Sequence, residues 1–125
     1  MKISVIAVLG FLFLNIQCNS PKTATPSSAV ATKEVSVKDQ ITKGAFLVDV
    51  RSPEEFATGS VKGAVNIPVD EVEKRVNEFK GKKSIIVFCR SGHRAGIAKT
   101  TLENAGITNV TNGINTETIS AELVK

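Results

Sequence analysis

Short apolar runs alternate with amphipathic segments along residues 34–125. Gly, Pro, Asn or charged residues bound these runs, which is typical of buried strands joined by turns. The runs predict strands at residues 34–36, 46–50, 64–67, 84–88 and 107–111. Because strands that alternate with helices indicate a parallel sheet, we expect an α/β domain with about five strands and helices on both faces of the sheet.

The segments between these runs carry helix signals. Ser52, Pro53 and Glu55 form a helix start, with Ser52 as the N-cap and Glu55 completing a capping box. Gly106 follows an alanine-containing stretch and marks a helix end, and Asn112-Gly113 predicts a turn after the last strand. Helices are expected from Pro53 and at residues 37–42, 69–79, 95–105 and 119–123.

The N-terminal part of the chain differs in composition from the rest. Residues 3–16 are almost wholly apolar, a run that suits a signal peptide and is short for a membrane-spanning helix, which needs about 20 residues. Cys18 after this run resembles the acylated cysteine of bacterial lipoprotein signals. Ordinary signal-peptide cleavage and an N-terminal core element are the alternatives. We expect a signal peptide at 1–18, a flexible Ser/Thr/Pro/Ala linker at 19–33 and the folded domain at 34–125.

The signal also sets the expected location and partners. It implies an exported protein of the bacterial periplasm or cell envelope, anchored to a membrane only through lipid on Cys18. The formal net charge of +4 includes Lys2, and the sequence has no basic stripe interleaved with aromatic residues. Nucleic acid is therefore not an expected partner, and neither a metal nor a cofactor is expected.

The two cysteines of the chain, Cys18 and Cys89, have different settings. If Cys18 is acylated or removed, Cys89 has no disulfide partner in its own chain. An unpaired thiol in an oxidising compartment indicates that the thiol has a functional role. Cys89 ends an apolar run and opens a polar loop with Arg90 and Arg94, next to the helix expected from Ala95. Loop N–H groups and a helix N-terminus favour the thiolate; the alternative is a buried, inert cysteine.

Three blocks of sequence resemble the single-domain rhodaneses, a family of sulfurtransferases. Residues 49–56 are similar to the family's Asp-x-Arg-x-x-x-Glu-Phe block. Residues 59–68 are similar to its Gly-His-Ile-x-Gly-Ala-x-Asn-Ile-Pro block, with Ser60 in place of His, and residues 89–94 to its active-site loop Cys-Arg-Ser-Gly-x-Arg. Residues 112–115 depart from the family pattern: this chain has Asn-Gly-Ile-Asn after the last strand, where the family often has Gly-Gly and then an aromatic residue.

The resemblance implies a rhodanese-like fold and a persulfide mechanism at Cys89. The thiolate would take the outer sulfur of thiosulfate or of a persulfide and pass it to a thiophilic acceptor, either cyanide or a thiol. The residues after Cys89 would bind the substrate anion, and two residues at the end of an earlier strand would support the site. The substrate-binding set is Arg90, Ser91, Gly92, His93 and Arg94, and the supporting pair is Asp49 and Arg51.

The length of the loop separates the related activities. Cys89 and Arg94 are spaced as Cys-x4-Arg, whereas phosphatases of this fold have one more residue, which makes room for phosphate. The shorter loop favours sulfur chemistry over a phosphatase or an arsenate reductase. A non-catalytic binding module and a persulfide carrier fed by a partner protein would both keep the same fold. For three residues of the loop there are interpretations that compete with substrate binding. Arg94 would form a structural ion pair, and Arg90 or His93 would lie at the solvent surface.

Overall fold

A computed structural model of the protein describes residues 35–124. These residues form a parallel sheet of four strands in the spatial order β2-β1-β3-β4. The strands are β1 (Phe46–Asp49), β2 (Val65–Asn66), β3 (Ile85–Cys89) and β4 (Val110–Asn115). The helices are α1 (Val37–Thr42), α2 (Pro53–Ala57), α3 (His93–Asn104) and α4 (Thr116–Leu123), with a 3₁₀ helix at Val76–Phe79.

The central strand β3 separates two apolar clusters, one on each face of the sheet. Every residue of β3 is buried, and alternate residues face opposite sides because the side-chain period of a strand is two. Val87 and Cys89 belong to the cluster that also contains Ala95 and Leu102 of α3. The other cluster contains Phe88, together with Ile119 of α4 and the packed residues Val37 and Ile41 of α1. The prediction of a parallel α/β domain with helices on both faces is therefore confirmed.

The N-terminal edge strand predicted at residues 34–36 is wrong for the part that the structure describes. Val35 and Ser36 are not in a strand. Ser36 instead caps α1, since its hydroxyl accepts a hydrogen bond from the amide of Asp39 at 3.1 Å. Residues 35–124 consequently form four strands rather than about five. The predicted signal peptide at 1–18 with Cys18, and the linker at 19–33, lie outside the described residues.

The α-helix predicted at residues 69–79 is also wrong. Turns fill most of this segment, and only Val76–Phe79 is helical, as a 3₁₀ helix. Hydrogen bonds between residues three apart, such as that from the amide of Glu71 to the carbonyl of Pro68 at 2.8 Å, shape the segment more tightly than an α-helix. Val72 and Phe79 still enter the core, so the apolar spacing identified the buried positions and not the helix type.

The last strand differs from its prediction in position. The apolar run predicts it at residues 107–111, with a turn at Asn112-Gly113, but β4 spans Val110–Asn115 and contains both of these residues. Close packing around Gly113, and not a turn, explains why a glycine occupies this position of β4. A Cβ atom at Gly113 would lie 2.5 Å from Cδ1 of Ile119 and 2.8 Å from Cγ2 of Ile86. Only glycine allows α4 to pack this closely against the sheet.

This packing predicts that Gly113→Ala destabilises the domain. The added methyl group would overlap Ile119 and Ile86, and overpacking of this kind costs about 1–3 kcal/mol of unfolding free energy. Urea denaturation of the purified domain measures the change. Gly96→Ala is the matched control, because its Cβ would meet only the Asn112 amide at 3.7 Å and alanine favours a helix interior by about 0.5–1 kcal/mol. Equal stability of the two variants would contradict the packing argument.

Candidate active site

The predicted cysteine loop lies at the carboxyl edge of the sheet. Cys89 is the last residue of β3, and α3 begins at His93, two residues earlier than the helix predicted from Ala95. Gly92 is the N-cap of α3 and has φ +87°, a left-handed conformation that glycine adopts without steric cost. Parallel strands place their carboxyl ends on one edge, so the loop lies on the same side of the domain as the end of β1.

The loop surrounds the Cys89 sulfur with backbone donors. The amide of Gly92 donates a hydrogen bond to Sγ at 3.1 Å. Burial raises the pKa of the Cys89 thiol, but hydrogen bonds from the amides of Ala95, Ser91, Gly92 and Arg94 lower it by more, so the pKa lies below its ordinary value. The sulfur is therefore stabilised as a thiolate by fixed dipoles at the start of a helix.

Arg94 forms an ion pair with Glu55 of α2. The two nitrogens Nη1 and Nη2 donate to Oε2 and Oε1 at 2.5 and 2.9 Å, a bidentate geometry that fixes the guanidinium plane. The pKa of Arg94 is raised mainly by its hydrogen bond to Glu55 and further by the nearby Cys89 side chain in its thiolate form. The structure thus contains a structural ion pair at Arg94, and this pair holds the arginine beside the sulfur.

The sequence predicts Glu55 only as a capping residue. The capping box is present: Ser52 Oγ accepts from the amide of Glu55 at 3.3 Å, and Glu55 Oε2 accepts from the amide of Ser52 at 3.1 Å. The same carboxylate binds Arg94, which lies 39 positions further along the chain. The capping box alone is enough to explain a glutamate at this position, so it gives no sign of the contact with Arg94. The only sequence signal for this second role is that Glu55 belongs to the family block at residues 49–56.

The Glu55 carboxylate predicts a pH-dependent contribution to stability. Its pKa is lowered from 4.5 to about 2, chiefly by Arg94 and then by the amide of Ser52. A carboxyl group whose pKa falls on folding stabilises the fold above its unfolded pKa, and this contribution is lost as the pH drops through the folded value. Glu55→Gln should therefore lower the urea midpoint near neutral pH, and the difference from wild type should close as the pH falls from about 4.5 to about 2.

A second glutamate provides the control for this pH series. Glu73 forms none of the ion pairs found among residues 35–124. Glu73→Gln should therefore change the urea midpoint little, both near neutral pH and in the acid range. A gap between wild type and Glu55→Gln that stays constant across the acid range would contradict the proposed role of the Glu55 carboxylate.

Asp49 and Arg51 form a buried scaffold at the end of β1. Asp49 is fully buried, and Arg51 binds both of its oxygens, with Nη2 at 2.6 Å from Oδ2. Ser60 donates to the same oxygen at 2.6 Å, and Arg51 also donates to the carbonyl of Gly59 at 2.7 Å. This network ties the end of β1 to the connection that leads into β2. Asp49 and Arg51 are therefore bound to each other at the end of β1, and their support of the cysteine loop stays a prediction.

The other predicted loop residues lie at the surface. Arg90, Ser91 and His93 are exposed, whereas Gly92 is partly buried. Arg90 forms no ion pair within residues 35–124. A shallow groove runs along α3 from the start of the helix, lined by Gly92, His93, Gly96, Ile97, Thr100 and Thr101. Cys89 does not line this groove, so we place the reacting site in the loop itself.

Neither a metal-binding cluster nor a membrane-spanning helix is present in the described part of the chain. Within residues 35–124, no group of three or more His, Cys, Asp or Glu side chains is arranged to hold a metal ion. The helices of the same region are also too short or too polar to cross a bilayer.

The fold and this loop define a class of protein: an α/β domain whose central parallel strand delivers a cysteine to a cradle of amides at a helix N-terminus. The family model described as Rhodanese-like domain matches residues 34–115. The chain belongs to this family, which is one of sulfurtransferases.

Curated relatives and solved structures agree with this assignment. The chain is 36% identical over 80 residues to the thiosulfate sulfurtransferase PspE of Escherichia coli, covering 62% of this chain and 77% of PspE. It is 39% identical over 66 residues to the putative sulfur carrier protein YrkF of Bacillus subtilis, covering 53% of this chain but only 36% of YrkF. The chain thus spans about a third of the length of that relative.

A solved structure shows the same architecture. The structure titled rhodanese with anions from E. coli superimposes with a TM-score of 0.56 at 35% identity, covering 61% of this chain and 92% of the other. This similarity extends the family assignment from sequence to fold.

Proposed function

We propose that the domain is a sulfurtransferase in which Cys89 carries the transferred sulfur as a persulfide. The thiolate attacks the outer sulfur of thiosulfate, the S–S bond of thiosulfate breaks, and sulfite leaves with the bonding electron pair. A thiol or cyanide then attacks the outer sulfur of Cys89–S–S⁻, and the Cys89 thiolate departs. Each step exchanges one nucleophile for another at sulfur, so no external oxidant or reductant is needed.

The observation that carries this proposal is the set of amides directed at the Cys89 sulfur. The Gly92 amide lies 3.1 Å from Sγ, and the amides of Ala95, Ser91 and Arg94 also lower the pKa of the Cys89 thiol. Fixed donors of this kind stabilise a developing anion without reorganising. The Cys-x4-Arg spacing of the loop supports sulfur rather than phosphate as the group held there.

Two arginines have different proposed roles in binding the donor. Arg90 is exposed and forms no ion pair within the described residues, so its guanidinium is free to bind the sulfonate end of thiosulfate. Arg94 is already bound to Glu55 and contributes positive charge beside the sulfur. Ser91, Gly92 and His93 complete the predicted binding loop.

Thiosulfate:cyanide sulfur transfer by the purified domain tests the proposal. Thiocyanate should form with thiosulfate as donor, while a generic phosphate ester such as p-nitrophenyl phosphate should not be hydrolysed. Hydrolysis of the ester without thiocyanate formation would instead favour a phosphatase. Absence of both activities, together with no sulfur on Cys89, would favour a binding module.

A persulfide carrier is the second candidate, favoured by the similarity to the putative sulfur carrier YrkF. The chain has no cysteine besides Cys18 and Cys89. If Cys18 is acylated or removed, the Cys89 persulfide must therefore transfer its outer sulfur to an acceptor outside the chain. A carrier would accept sulfur from a protein persulfide and not from thiosulfate, whereas an enzyme of the proposed kind accepts both. Loading with each donor separates the two functions.

We also propose that the protein is exported and held at a bacterial membrane by lipid on Cys18. The apolar run at residues 3–16, the cysteine that follows it and the polar segment at 19–33 support this location. Metabolic labelling with a fatty acid tests it, since the label should be present in the wild-type chain and lost in Cys18→Ala. Label retained in the variant would exclude Cys18 as the acylated residue.

A further inference from the structure

Asn112 of β4 connects the cysteine loop to the last strand through its side-chain amide. Its Nδ2 donates a hydrogen bond to the carbonyl of Gly92 at 2.9 Å. Its Oδ1 accepts a hydrogen bond from the amide of Ile114, also at 2.9 Å. Both ends of the Asn112 amide are therefore used on backbone groups, one of which belongs to the residue whose own amide contacts the Cys89 sulfur.

The Asn112 amide lies beside two glycines, the N-cap Gly92 and Gly96 in the first turn of α3. A Cβ atom at Gly92 would lie 3.6 Å from Asn112 Oδ1, and one at Gly96 would lie 3.7 Å from Asn112 Nδ2. The carbonyl of Gly92 also accepts the first helical hydrogen bond of α3, from the amide of Gly96 at 2.8 Å. Asn112 thus packs against the first turn of α3 and binds the carbonyl at which the helix begins.

The residue after Gly113 has an unusual backbone. Ile114 has φ +69°, the only non-glycine residue with positive φ among residues 35–124, and this conformation is unfavourable for a β-branched side chain. Its Cα and Cγ2 lie 3.5 Å from the position that a Cβ atom would take at Gly92, and the residue is 49% exposed. The hydrogen bond from its amide to Asn112 helps to hold this conformation against the loop.

We propose that Asn112 is a positioning residue for Cys89: by binding the Gly92 carbonyl, it fixes the peptide plane next to the amide that donates to Sγ. Gly92 is left-handed and can adopt many conformations, so its amide stays directed at the sulfur only if its neighbours are held. Asn112 does not touch the sulfur and acts through Gly92. The consequence for sulfur transfer depends on the proposed function, whereas the effect on the thiolate does not.

The pH dependence of Cys89 alkylation by iodoacetamide tests this proposal. Loss of the Asn112 amide should raise the midpoint of the rate profile by about 0.5–1 pH unit, because the thiolate loses part of one hydrogen bond. Two variants are used: Asn112→Ala removes the side chain, and Asn112→Leu keeps nearly its shape but can neither donate nor accept a hydrogen bond and adds no charge near the thiol. Neither variant adds or removes an ionisable group, so the charged and titratable side chains of the loop and of the elements beside it are unchanged: Arg90, His93 and Arg94 of the loop, Glu55, which pairs with Arg94, and Asp49 with Arg51 at the end of β1.

Asn109→Ala provides a matched control. Asn109 precedes β4 at the opposite end of the strand, and its Nδ2 donates to the carbonyl of Lys82 at 2.6 Å. The variant loses the same kind of hydrogen bond as Asn112→Ala but should leave the alkylation midpoint unchanged. A midpoint shifted in the Asn112 variants and not in Asn109→Ala supports positioning of the thiolate through Gly92.

Two outcomes would overturn the proposal. One is a midpoint in folded Asn112→Ala or Asn112→Leu equal to that of the wild type. The other is an equal shift in Asn109→Ala, which would mean a general effect of lost stability. Circular dichroism establishes folding, and if Asn112→Ala does not fold, the nearly isosteric and uncharged Asn112→Leu decides the result. Because alkylation needs no sulfur donor, failure of the proposed function would leave this test intact, and failure of this test would leave sulfur loading unaffected.

Discussion

Cys89→Ser is expected to abolish sulfur transfer while leaving the domain folded. The hydroxyl group has nearly the size of the thiol, so the buried position at the end of β3 remains filled. Serine remains protonated at neutral pH and forms no persulfide, which removes the covalent intermediate. Loss of a catalytic nucleophile commonly costs on the order of 10⁴-fold or more in rate, so thiocyanate formation should fall to the background level.

The second cysteine is the control for this variant. Cys18→Ser should retain thiosulfate:cyanide transfer, because the nucleophile and the amide that contacts its sulfur belong to Cys89 and Gly92 and do not involve the Cys18 thiol. Steady-state rates of the two variants, measured at equal concentrations of folded protein, give the comparison. Activity retained in Cys89→Ser and lost in Cys18→Ser would contradict the assignment of the nucleophile.

The largest effect on stability is expected from Asp49→Ala. Asp49 is fully buried and accepts hydrogen bonds from the amide, Nε and Nη2 of Arg51 and from the hydroxyl of Ser60. Removing the carboxylate leaves Arg51, whose side chain is only 12% exposed, without its charged partner. Breaking a buried ion pair from one side costs about 3–5 kcal/mol, and urea denaturation should show a loss of this size.

An exposed ion pair gives the comparison for Asp49. Glu71 pairs with Arg75 at 3.1 Å, and both side chains are at least one-third exposed. Because exposed pairs contribute under about 1 kcal/mol, Glu71→Ala should cost much less than Asp49→Ala. Similar losses for the two variants would mean that solvent reaches the Asp49–Arg51 network and screens it.

The sequence predicted the elements whose signals are local. The run at residues 84–88 corresponds to the buried strand β3, and the cysteine after its last apolar residue lies at the start of the loop, as expected. The capping box of Ser52 and Glu55 is also present in the structure. In these cases a single stretch of residues contains both the propensity and the boundary of the element.

The parts that the sequence did not predict depend on contacts between distant segments. Asn112-Gly113 has the composition of a turn, yet it continues β4, because Gly113 must pass between Ile86 and Ile119. The Glu55–Arg94 pair joins residues 39 positions apart, and no local sequence pattern indicates which acidic residue pairs with Arg94. Tertiary packing therefore overrides turn propensity at Gly113 and gives the capping glutamate a second role.

Intact mass spectrometry of the wild-type protein tests the central claim most directly. After incubation with excess thiosulfate and removal of small molecules, the protein should gain the mass of one sulfur atom, and cyanide should remove that mass and release thiocyanate. Peptide mapping should place the added sulfur on Cys89, and Cys89→Ser should gain nothing. A wild-type protein that gains no sulfur from thiosulfate or from any persulfide donor would contradict the assignment of Cys89 as a sulfur carrier in catalysis.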